Sequence, residues 1–185
     1  MAYLEVITRT FGGRPELLAR CTASLEALED RDWVQRIVVD DERRGVAWAV
    51  GNLATIEAAG SWVWVLDDDD LCTFPGLIGA IRELEEAEAP DVIAVRVDHG
   101  EFGILPPDKR WRRAPARSWV STPNVIVRRD VWERCRHGWT ARYSGDFDFV
   151  STLWWSGARW AWLDVVAAGQ PVAMHGAAEE RAGAC

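Results

Sequence analysis

Apolar and polar positions follow two periods along the first hundred residues. Tyr3 to Thr8 is a short, mostly apolar run, and behind it Leu17, Leu18, Cys21, Leu25 and Leu28 recur at helical spacing after Pro15, a residue suited to a first helical turn. The spacing predicts strand, then helix. The unit repeats: Arg36 to Val39 reads as a second strand ending at Asp40 and Asp41, and Val46, Ala49, Val50, Leu53 and Ile56 mark one face of a second helix. Ser61 to Leu66 is apolar on both faces apart from its first residue, as a strand covered on both sides by helices should be. Pro75 opens a third helix with Leu77, Ile78, Ile81 and Leu84 inside, and Asp91 to Val97 supplies a fourth strand.

Strands alternating with helices in this way predict an α/β chain with a mostly parallel, doubly wound central sheet. Ligands of such sheets sit beyond the carboxyl ends of the strands. Both acidic clusters, Asp40-Asp41 and Asp67 to Asp70, fall there. Beyond Val97 the pattern loosens, and a Pro-rich basic stretch from Pro106 to Arg117 reads as a loop before the apolar run Trp119 to Val127. Val131 to Cys135 and Asp146 to Trp155 read as helices, Trp160 to Val166 as a late strand, and the chain from Ala177 onward as a frayed tail.

With 185 residues, 49% of them hydrophobic, the chain can build one core, and we expect a single domain over 1–185. A net charge of −8 argues against a nucleic-acid partner, which calls for a basic stripe, but leaves room for an anionic small molecule held through a metal. Cys21, Cys72, Cys135 and Cys185 show no CxxC spacing and, with only three histidines, no zinc signature. We expect reduced thiols and a cytoplasmic protein. No apolar run reaches 18 residues, and the N-terminus lacks the basic-then-apolar order of an export signal, so no membrane span is expected.

The run Asp67-Asp68-Asp69-Asp70 follows directly on Trp62-Val63-Trp64-Val65-Leu66. Two like charges about 4 Å apart repel by roughly 4 kcal/mol at an effective dielectric near 20, so four adjacent carboxylates at the mouth of a core strand require water, protons or a cation. A hard divalent ion answers that need. If the segment is extended, Asp67 and Asp69 point to one side and Asp68 and Asp70 to the other. A solvated strand-to-helix turn is an equal reading on physics alone.

The words ITRTFGGRPELLARC, IVVDDE, GNLATIEAAGSWVWVLDDDDLCTFPGL and SGDFDFVSTL occur in this order. Together they resemble the family 2 glycosyltransferases of the Rossmann-like GT-A fold, over roughly residues 3 to 176. The resemblance implies a donor-nucleotide half up to about residue 97 and an acceptor half from about 98 to 176. It makes Asp67 and Asp69 a DxD pair, with Asp69 on Mn²⁺ or Mg²⁺, Asp67 near the ribose or metal, Asp70 in support and Asp68 mattering least within the donor set. Asp40 or Asp41 would read the nucleotide base, and Thr8, Arg9, Thr10 and Asn52 would line the nucleotide pocket. His175 would approach the metal or diphosphate.

Asp146 stands where the family places a catalytic base, with Asp148 in reserve, although Gly145 replaces the glutamate that normally precedes it. The implied reaction moves a sugar from a nucleotide-diphosphate sugar, a UDP-sugar being favoured, to a hydroxyl of an unidentified glycan, protein or small-molecule acceptor, with inversion. A homodimer is left open. Two other readings remain. A donor-binding module without catalysis fits the missing glutamate, whereas a phosphohydrolase of the haloacid dehalogenase type expects the acidic motif on the first strand and a later lysine, and the single lysine here is Lys109 in the Pro-rich loop.

Overall fold

The computed structural model describes residues 1–170. His175 and the tail from 177 lie outside the described residues. In chain order the elements are β1 (Leu4–Thr10), α1 (Pro15–Glu26), β2 (Trp33–Val39), α2 (Val46–Asn52), β3 (Trp62–Val65), β4 (Leu71–Cys72), α3 (Leu77–Glu88), β5 (Val92–Asp98), β6 (Ile104–Leu105), β7 (Val125–Arg128), α4 (Arg129–Cys135), α5 (Gly145–Trp155) and β8 (Trp160–Gly169). Every strand and helix read from the periodicity is present. The two-residue strands β4 and β6 were not foreseen.

The strands form one sheet in the order β2-β1-β3-β7-β5-β8-β4, with β6 also on β5. The expectation of a mostly parallel sheet is corrected. The β1–β2, β1–β3 and β5–β8 pairs are parallel, but β3–β7, β5–β7, β5–β6 and β4–β8 are antiparallel. A parallel neighbour needs a crossover connection, usually a helix. After β5 the chain instead runs back over the strand ends through the Pro-rich loop, and β7 enters between β3 and β5 from the opposite direction. β5 therefore still runs with β1 and β3, so the ends of all three open on one edge.

Both faces of the sheet are covered, as the unbroken apolar character of β3 requires. Leu4, Val6, Trp62, Trp64 and Leu66 pack with Cys21 and Leu25 of α1 and Leu77, Ile78 and Ile81 of α3. Ile7, Val63 and Val65 point the other way, toward Val50 of α2, Trp132 of α4 and Phe149, Val150 and Leu153 of α5. Trp64 is fully buried, and its indole Nε1 donates to the Pro123 carbonyl at 2.9 Å, which ties β3 to the entry of β7. At the opposite edge, buried Asp91 accepts from the Arg159 N–H at 2.9 Å and pairs with Arg128 at 2.8 Å, joining the starts of β5 and β8 to the end of β7.

Candidate active site

The acidic run is not a free loop. The Leu66 N–H donates to the Ile7 carbonyl at 3.0 Å and the Asp68 N–H to the Arg9 carbonyl at 3.1 Å, so the β1–β3 ladder continues two residues past the strand. The Asp70 N–H then closes on the Asp67 carbonyl at 3.0 Å. This turn overrides the alternation expected of an extended segment. Asp70 swings to the side of Asp67 and Asp69, and the three carboxylates bring oxygens within 4.8 Å of one another. Asp68 faces away, accepting from Thr10 Oγ1 at 2.6 Å and pairing with Arg14 at 3.3 Å.

Two cations stand against these four acids. Arg9 donates Nε and Nη2 to the two oxygens of Asp67 at 2.7 and 2.5 Å, and Nη2 also reaches Thr122 Oγ1 at 3.3 Å. Arg14 lies between Asp68 and Asp69, 3.6 Å from the latter. The balance stays acidic. Burial pushes the Asp68 carboxyl up to about 6, with Asp69 and Asp67 adding to the rise. Burial and then the charge of Asp67 raise Asp69, and burial with the charges of Asp67 and Asp69 holds Asp70 well above the usual carboxylate range. Three buried atoms of the site have no hydrogen-bond partner among the described residues: Asp70 Oδ1, an acceptor, and the donors Arg9 Nη1 and Arg14 Nε.

The second half of the chain reaches the same place through α5. Asp146 lies in the first turn of that helix and accepts the Phe147 N–H at 2.7 Å. Burial raises its pKa; the Phe147 N–H and the charge of Arg9 oppose that rise, and the charge of Asp67 adds to it. Asp146 and the acidic run are therefore brought together, with Arg9 within electrostatic reach of both. Asp148 is differently placed: Arg142 takes both its oxygens at 2.5 Å and Thr140 donates to one of them. The Arg142 hydrogen bonds hold its pKa below the usual range.

Gly145 explains how α5 arrives there. A Cβ at this position would fall well inside contact distance of the Thr140 carbonyl and of Val50 Cγ1 on α2. No larger residue fits without moving the helix. The glycine that reads in sequence as a missing glutamate is, in the fold, the condition for α5 to dock.

The remaining sequence candidates divide. Asp40 is buried; burial pushes its pKa up, but the Arg44 and Gly45 N–H groups and the Arg44 guanidinium outweigh that and leave it low. Its oxygens accept from the Gly45 N–H at 3.0 Å and Arg44 Nε at 3.2 Å, so it shapes the 40–45 loop. Asp41 beside it is exposed. Thr10 holds Asp68, and Asn52 accepts from Thr55 Oγ1 at 3.3 Å at the end of α2. Thr8 is a correction: it is fully buried on the α1 side, where Gln35 donates to it at 2.9 Å and Cys21 lies 4.0 Å away, because strand alternation sends it to the opposite face from Arg9. Sequence reading missed Arg14, Thr122 and Arg142. Arg14 alone carried a signal, as the basic residue between the end of β1 and the Pro that starts α1.

The basic loop packs over an aromatic bed. Arg96 pairs with Asp108 at 2.9 Å and Asp164 at 2.5 Å and sits over Trp111, while Trp111 meets Trp162 edge-on at 5.0 Å. Arg117 lies over Phe147, next to Asp146. The crevice beneath, between Val150, Trp154, Trp160 and Trp162, measures about 20 Å³ and has room for one water.

The mixed α/β fold is shared with solved glycosyltransferases. The match to S. aureus TarS 1-349 in complex with UDP-GlcNAc has a TM-score of 0.66 at 15% identity, covering 90% of this chain and 58% of that one. The mannosyltransferase PcManGT from Pyrobaculum calidifontis, in complex with GDP-Man and Mn²⁺, matches with a TM-score of 0.64 at 17% identity, over 96% of this chain and 59% of that one. A197 from STIV matches at 0.56 and 15% identity, over 88% and 82%. The chain thus spans about 60% of the two glycosyltransferases' length. Comparison of the sequence with protein-family models and with curated proteins gives no match. Among the described residues no helix is long and apolar enough to cross a membrane.

Proposed function

We propose that this chain is a metal-dependent glycosyltransferase of the family 2 type, moving a sugar from a nucleotide-diphosphate sugar, a UDP-sugar being favoured, to an acceptor hydroxyl with inversion. The observation that carries the reading is a pair of opposite unmet needs in one place. Among the described residues Asp70 Oδ1 is a buried acceptor without a donor beside Asp67 and Asp69, and Arg9 Nη1 is a buried donor without an acceptor. Buried polar atoms are almost always paired, so a site short of both a cation and an anion fits a divalent metal with a diphosphate.

Asp67, Asp69 and Asp70 would hold Mn²⁺ or Mg²⁺, with His175 as an added ligand from outside the described residues. The ion, when bound, neutralises charge on the departing diphosphate. Arg9 and Arg14 add fixed positive charge near the same phosphates. Asp41, whose carboxylate is exposed, is free to accept a base N–H. Asp146 takes the proton from the acceptor hydroxyl; burial raises its pKa, which makes it a stronger base than a free carboxylate, and it must come within about 3 Å of that oxygen, directly or through a water. Asp148, held by Arg142, keeps a structural role. The two glycosyltransferase structures are complexes with UDP-GlcNAc and with GDP-Man, which supports a nucleotide-sugar donor without choosing between them.

The test is release of UDP or GDP from UDP-GlcNAc and GDP-Man with Mn²⁺, and after chelation. We expect turnover with Mn²⁺, none with EDTA, and a loss of at least about 100-fold in Asp69→Asn with the fold intact. Asp146→Asn should keep donor binding and lose transfer. Undiminished turnover in EDTA or in Asp69→Asn contradicts the proposal.

A further inference from the structure

Arg9 is an unusual neighbour for a metal site. Its fork covers both oxygens of Asp67, one of the three carboxylates that would hold the ion. A cation that coordinates Asp67 must share its two oxygens with the guanidinium and meet that positive charge at close range, so it either displaces the guanidinium or binds more weakly. Arg9 cannot then retreat to water, because only 11% of its side chain is exposed and Nη2 is tethered to Thr122. A buried guanidinium parted from its carboxylate needs another anion. Among the described residues Nη1 is already without a partner.

Resting on the donor reading above, we infer that Arg9 is the internal counter-cation of the site and exchanges anions: it holds Asp67 when no divalent cation is present and the donor's diphosphate once one is. Metal and nucleotide then assist each other through one side chain, and by linkage the coupling is reciprocal. Arg9 is also a brake on metal binding in the absence of nucleotide.

The brake gives effects of opposite sign. Mn²⁺ is titrated into the wild type and Arg9→Gln, followed by electron paramagnetic resonance, alone and then with UDP or GDP. Removing a cation beside the ligands should tighten Mn²⁺ alone by about tenfold. The same change should weaken UDP or GDP at saturating Mn²⁺ by about tenfold. Arg9→Lys, which keeps the charge but cannot fork, should fall between.

A measurement on the unaltered protein guards against misfolded variants: the Arg9 Nε–H resonance should shift with Mg²⁺ plus UDP or GDP and stay in place with the nucleotide alone. An Arg9→Gln protein that binds Mn²⁺ alone no more tightly than wild type overturns the inference, as does an Nε–H signal that Mg²⁺ plus nucleotide leaves unmoved. A wild type that binds neither Mn²⁺ nor nucleotide defeats the donor reading itself, which is a different result.

Discussion

Residues 1–98 and 99–170 deliver acids to the same site by different means. In the first half the carboxylates are carried at the end of β3, whose backbone ladder with β1 continues through Asp68 and whose side chains are buried on both faces. In the second half Asp146 rides on a helix positioned by a glycine contact, an Arg142–Asp148 clamp and a loop resting on aromatic rings. Sheet-borne groups inherit their position from many bonds, loop-borne groups from a few. The acidic run is thereby held by many backbone bonds, whereas the place of Asp146 depends on local packing.

This contrast can be broken by substitution. Trp64→Ala should cost about 3–5 kcal/mol, since it empties a fully buried site in β3 and frees the Pro123 carbonyl; Trp162→Ala, in the half-buried aromatic bed, should cost under about 2 kcal/mol. Equal losses in urea unfolding would mean that the halves are equally packed. Gly145→Ala should cost about 1–3 kcal/mol through overlap with the Thr140 carbonyl and Val50, and reduce transfer while leaving Mn²⁺ binding unchanged. A variant that transfers normally would show that α5 does not depend on that contact.

The smallest effect is in the pH dependence of melting without metal, where the acidic run and the arginine-paired aspartates have opposite signs. Asp68, raised to about 6, binds protons more tightly folded than unfolded, so stability grows as pH falls from about 7 toward 4. Asp91 and Asp148 have lowered pKa values, so their contribution is complete above about 4 and is lost as pH falls through the folded values. The melting temperature should therefore rise on mild acidification and drop below about pH 4. Asp91→Asn should flatten the drop and leave the rise.

The legibility of the chain follows the same division. In the first half the apolar runs and helical spacings carried the strands and helices, and the acidic run advertised itself because four adjacent carboxylates at a strand end repel one another and require water, protons or a cation. What sequence could not show there was a turn pulling Asp70 over to Asp67, or the face on which Thr8 falls. In the second half the elements were legible but their directions were not, because nothing in the apolar run Trp119 to Val127 says that β7 runs antiparallel. The packing role of Gly145 was hidden for a related reason: it lies against Thr140 and Val50, one five residues away and one on another helix. Arg142 likewise distinguishes Asp148 from Asp146 only in three dimensions.

The central claim is that one site takes a divalent cation together with a nucleoside diphosphate. Thermal melting with UDP and GDP, each with Mn²⁺ and with EDTA, tests it most directly. At a ligand concentration about 100 times the dissociation constant, linkage gives about 2.7 kcal/mol, a rise of roughly 5–10 °C for a domain of this size. We expect that rise for one of the two nucleotides, only with Mn²⁺, and its loss in Asp69→Asn. The same rise in EDTA, or no rise with either nucleotide and Mn²⁺, would contradict the claim.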